Sequence, residues 1–112
     1  MPSFETDDHR DSPHLRPVHV AKGKLEIYSA AREMCEDLGW RVVDSDPAKL
    51  ALRCERRNGF LGGTSTIEVW VEGPDGIPSS ITRVRSRSTG ALLARDRANV
   101  SEFVRKFTMR VC

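Results

Sequence analysis

The sequence predicts an α+β fold, a β-α-β-β-β-β-α chain whose antiparallel sheet carries two helices on one face. Three observations predict it. Apolar residues recur with a helical period in two segments, Lys24 to Leu38 and Leu93 to Val111. Between them the period drops to two in four consecutive runs bounded by Gly, Pro, Asn or Asp. The connections between these runs are too short for crossover helices, so the strands form a meander that buries one face.

Each element can be justified in turn. Residues 1 to 17 contain Pro2, Pro13 and Pro17, six charges and only three apolar side chains, Met1, Phe4 and Leu15. That is too little apolar surface to offset ordering, which predicts a flexible N-terminal arm ahead of a single domain at 18–112. Val18 to Val20 is a short β-prone run. The first helix places Ile27, Ala31, Met34 and Leu38 on one stripe beside Tyr28 and Cys35, and Gly39 is suited to the left-handed position that ends it. In the next strand Trp40, Val42 and Asp44 alternate with Arg41 and Val43, and Asp46-Pro47-Ala48 supplies the turn. Leu50, Leu52 and Cys54 then oppose Ala51, Arg53 and Glu55.

Asn58 to Gly63 breaks the alternation. Thr64 to Glu72 resumes it, with Ile67, Val69 and Val71 on one face and Thr66, Glu68, Trp70 and Glu72 on the other. Gly73 to Pro78 has turn chemistry, and Ser80 to Ser88 sets Thr82, Val84, Ser86 and Ser88 against Ile81, Arg83, Arg85 and Arg87. The closing helix carries Leu93, Val100, Val104, Phe107 and Val111 on a stripe interrupted by Arg97, with Ala94, Ala98 and Phe103 beside it. This order of elements resembles TATA-binding-protein-like and helix-grip arrangements, in which helices lie across one face of a curved sheet.

Several stretches together resemble the uncharacterised family catalogued as domain of unknown function 1499. They are Glu36-Asp37-Leu38-Gly39-Trp40 followed by Val42-Val43-Asp44, the Gly59-Phe60 step before an alternating strand, and Val84-Arg85-Ser86-Arg87-Ser88 before the last helix. The likeness spans roughly residues 18 to 107. Members follow the Arg-Ser-x-Ser run with Gly, Asp, Gly and Asn. Here Gly90 and Asn99 are present at a longer spacing, and the intervening acid and glycine are displaced. The resemblance implies the fold and carries no activity.

At 112 residues the chain makes one domain, and 38% hydrophobic with 30% charged residues describes a globular protein. No apolar run reaches the roughly 18 residues a spanning helix needs, so no membrane partner is expected. The formal net charge is +2, unevenly spread: ten basic against fourteen acidic residues up to position 79, then eight against two. Cys35, Cys54 and Cys112 cannot all pair in one chain and read as reduced thiols, and the N-terminus lacks the apolar core of a secretion signal. Both point to a cytoplasmic protein.

Chemistry-bearing motifs are sparse. His9, His14 and His19 and the cysteines lack the close-pair spacing of zinc sites, so neither metal nor cofactor is expected. Cys35 and Cys54 face the core, where a thiol stays protonated. Gly59 to Thr66 is glycine-rich like a phosphate cradle, but no Lys precedes its hydroxyls and a strand follows, which favours a wide hairpin loop. Glu33, Glu36 and Asp37 on the helix, and Glu68 and Glu72 on a strand, read as solvated or paired with arginine.

The most distinctive feature is the row Arg83, Arg85 and Arg87, which must project from the side opposite Val84. The hairpin length sets Trp70 opposite Arg83, Glu68 opposite Arg85 and Thr66 opposite Arg87, and Arg53 shares the outward face. Arginine–tryptophan stacking and arginine–glutamate pairs would stabilise a water-facing sheet. The same residues could instead serve as an anion or nucleic-acid surface, a reading that Glu55, Glu68 and Glu72 weaken. The leading expectation is a small non-enzymatic domain, monomer or weak homodimer, that binds an unknown protein or ligand through the exposed sheet face or the sheet–helix groove. A nucleic-acid-binding module on the Arg83/Arg85/Arg87 face is the alternative; an enzyme whose site leaves no motif ranks third.

Overall fold

A computed structural model describes residues 3–57, 63–89 and 95–112. The loop expected at 58–63 lies outside these residues except for Gly63, as do the Gly59-Phe60 step, Gly90, Leu93 and Ala94. Six strands and two helices follow in order: β1 (Ser3–Glu5), β2 (Val18–Val20), α1 (Lys24–Asp37), β3 (Arg41–Asp46), β4 (Ala51–Arg57), β5 (Thr64–Glu72), β6 (Ser80–Ser88) and α2 (Asp96–Val111). All strand pairs are antiparallel, in the order β1-β6-β5-β4-β3, and β2 also pairs with β6. The fold is α+β, as the periodicities predict.

Alternation along β4, β5 and β6 sorts the residues as expected. Leu52, Cys54, Ile67, Val69, Val71 and Val84 are buried, and both helices pack on their face. Phe103 and Phe107 of α2 and Ile27, Ala31 and Cys35 of α1 complete that layer without solvent exposure. The stripe on α2 differs from expectation at its start, where Asp96 and Asn99 are buried and Ala98 is exposed. Polar partners explain it: the Ser86 and Ser88 hydroxyls each donate to Asp96 Oδ1 at 2.7 Å, and Asn99 Nδ2 donates to Ser86 Oγ at 3.2 Å. Buried polar groups are tolerated where they satisfy one another.

The end of α1 follows from Gly39, whose φ of +77° is costly for any side chain. Gly39 N–H donates to Glu36 O and Trp40 N–H to Cys35 O, both at 3.0 Å, closing the helix and turning Trp40 into the core. At the other end, Lys24 donates to Gly73 O and pairs with Asp75, whose carboxyl the lysine hydrogen bond and charge hold below the usual range. The β5–β6 turn is thereby tied to the start of α1.

Two expectations are corrected. In β3 a bulge falls between Val42 and Asp44, so Val42 pairs with Cys54 but Asp44 pairs with Arg53. Asp44 therefore leaves the face it would share with Trp40 and Val42, and Ser45, opposite Leu52, takes that side; the extra residue of a bulge inverts the alternation beyond it. The second concerns the arm. From Ser3 onward the N-terminal segment belongs to the sheet, with Phe4 opposite Ser86 and Glu5 opposite Arg85. Leu15 and Pro17 are buried. The physical reason is backbone pairing, to which composition is blind. β6 offers an edge nine residues long, β1 and β2 cover its two ends, and Thr6 covers the middle. Thr6 N–H donates to Val84 O at 2.9 Å while Thr6 Oγ1 accepts from Val84 N–H at 3.2 Å.

Candidate functional site

The sheet face away from the helices carries a row of alternating charge. Strand pairing aligns Glu5, Arg85, Glu68, Arg53 and Asp44 across β1, β6, β5, β4 and β3. Period-two alternation in β4, β5 and β6 puts the middle three outward, and the bulge adds Asp44. The expected cross-strand register of β5 and β6 is the observed one, with Trp70 opposite Arg83, Glu68 opposite Arg85 and Thr66 opposite Arg87.

Side-chain geometry follows from this alignment. Arg85 Nη2 donates to both Glu68 oxygens at 2.9 and 3.0 Å, and Arg87 Nη2 donates to Glu68 Oε1 at 3.0 Å. Arg85 Nη1 stands 3.9 Å from Glu5 Oε1, and Arg53 Nη2 3.7 Å from Asp44 Oδ2. Arg83 and Trp70 both donate to Glu72, each at 3.3 Å. The guanidinium over the Trp70 ring is that of Arg85, on the diagonal at 5.9 Å from the centroid, rather than that of the directly opposite Arg83. Arg85 Nε is buried and has no hydrogen-bond partner among the described residues.

A cleft of about 350 Å³ opens on this face, its walls including Trp70, Arg85, Arg53, Glu68, Glu5, Asp44 and Asp46. Of the five residues the sequence nominated, the structure brings Arg53, Trp70 and Arg85 together there. Arg83 and Arg87 lie outside it, each turned to a glutamate. The sequence reading missed Glu5, Asp44 and Asp46. Glu5 was hidden in the supposed arm and Asp44 by the bulge. Asp46 was read only as a turn residue, and its Oδ1 does accept from the Ala48 and Lys49 N–H groups. With these acids included, four carboxylates and two guanidiniums line the cleft, an acidic balance.

The other motifs fall elsewhere. Cys35 and Cys54 are buried and hydrogen-bonded to each other; that bond, with burial second, pushes the Cys35 thiol up. His19 lies 3.2 Å from Asp8, and no three potential metal ligands gather among the described residues. No described helix is long and apolar enough to cross a membrane. No protein-family model matches the chain, and no curated protein matches it either.

Proposed function

We propose that this domain is a non-enzymatic binding module whose outer sheet face receives a protein segment or small ligand that presents a cationic group beside a flat apolar one. The observation that carries the reading is the acidic cleft around Trp70. An indole face accepts an apolar ring or a cation, and carboxylates close to it hold a positive charge in place. Glu68 is committed to two arginines, whereas Glu5 approaches Arg85 only at 3.9 Å and Asp46 uses one oxygen on its own turn. Those two carboxylates are the ones positioned to meet an incoming cation. Glu68 and Asp44, each paired with arginine, are a poor match for the acid and base that hydrolytic chemistry requires.

The test is a fluorescence titration with short peptides that place Lys or Arg next to Phe or Tyr, with Trp70→Phe as the control for the buried Trp40. Saturable change lost in Trp70→Phe and weakened several-fold by Asp46→Asn supports the reading. Saturable binding of single-stranded nucleic acid that Arg85→Glu abolishes without unfolding, with no response to cationic peptides, replaces it by the nucleic-acid reading.

A further inference from the structure

On the helical side of the sheet, where residues 9–15 run past the first turns of α2, two guanidiniums converge on one ring. Arg10 lies 4.2 Å and Arg97 5.7 Å from the Phe4 centroid. Pairing of Phe4 with Ser86 turns its ring to the same side as α2. Arg10 donates from Nη2 to Glu5 O, a backbone carbonyl, and its Nε is buried without a hydrogen-bond partner among the described residues. Neither Arg10 nor Arg97 forms an ion pair with any described residue. This differs from the outer face, where Arg53, Arg83, Arg85 and Arg87 each have a carboxylate.

Beside them lie two adjoining clefts of about 230 and 460 Å³ that share Ser12, Leu15 and Arg97. His9, Arg10 and Asp11 line the smaller and Arg95 the larger. Like charges brought to one ring repel, and an anion between them would remove that repulsion. Two guanidinium forks with a nearby hydroxyl match a tetrahedral dianion better than a single carboxylate, because each fork can bond a separate oxygen pair.

We propose that this cleft binds a phosphomonoester dianion, with Arg10 and Arg97 as its charged donors and the Ser12 hydroxyl beside them. Asp11, on the rim, opposes the anion and limits affinity. The proposal is independent of the outer-face reading, since the two sites share no side chain.

The experiment is an NMR titration of the full chain with inorganic phosphate and with glycerol 3-phosphate at constant ionic strength, following the arginine Nε–H signals. Vesicles with and without phosphatidic acid form a parallel arm that separates a soluble ester from a lipid headgroup. Saturable shifts at Arg10 Nε–H are expected in the wild type, with affinity about tenfold lower in Arg97→Gln and about threefold higher in Asp11→Asn. Both substituted positions are exposed, so the fold is retained. Binding to phosphatidic acid vesicles alone assigns the site to a lipid headgroup. Shifts that do not saturate, or that neither variant alters, overturn the proposal.

Discussion

Along β6 successive residues serve opposite sides. Ser86 and Ser88 reach α2 through Asp96, and Arg85 and Arg87 between and beside them reach Glu68 on the other face. Asp96 Oδ1 accepts two buried hydroxyl protons, so Asp96→Ala removes the acceptor of both, leaving Ser88 only Ser65 Oγ to turn to, and should cost about 2–4 kcal/mol. Asp96→Asn keeps an acceptor oxygen and should cost clearly less; urea denaturation of the two variants measures the difference. The buried thiols make a second prediction at this scale. Hydrogen bonding to Cys54 and burial hold Cys35 protonated, whereas Cys112 is exposed. An aromatic disulfide reagent on the native protein should therefore titrate one thiol quickly and release the other two only in denaturant. Two fast thiols would mean that α1 opens away from β4.

Among the elements, the coverage of β6 is the least ordinary, because one edge is shared by two short strands with a side chain filling the gap. Thr6→Val preserves shape but removes the acceptor for Val84 N–H, which should cost about 1–3 kcal/mol and speed exchange of that amide. Unchanged exchange at Val84 would show that the N-terminal segment does not cover this edge. The same element shows where sequence reasoning stops. β5 and β6 were legible to the residue because each alternates strictly over nine positions and the turn between them fixes their register. β1 was not, since three residues that contribute mainly backbone hydrogen bonds leave no trace in hydropathy. The β3 bulge was equally hidden. Trp40, Val42 and Asp44 satisfy a regular alternation on paper, and only the demand that Ser45 rather than Asp44 oppose Leu52 shifts the phase. These two local failures account for Glu5 and Asp44 among the missed cleft acids.

Across the whole molecule, the eight basic residues beyond position 79 do not form one positive surface. Arg83, Arg85 and Arg87 sit among Glu5, Glu68 and Glu72 on the sheet, while the other five belong to α2 and the residue before it. Coulomb fields from facing opposite charges cancel within a few ångströms, so a polyanion approaching the sheet meets a nearly neutral lattice. Removing the acids should uncover the arginines. In Glu5→Gln/Glu68→Gln, Arg85 and Arg87 lose their shared carboxylate while Arg83 keeps Glu72 and the amides keep the shape, and binding to oligothymidine should gain a salt slope of about −1.4, corresponding to about two neutralised phosphates. The wild type should show a shallower slope that Arg85→Glu leaves unchanged, because any residual attraction comes from α2. Fluorescence anisotropy over a salt series measures both. A wild-type slope as steep as that of the double variant, lost on Arg85→Glu, would mean that the acids do not screen the row and that nucleic acid is its natural ligand.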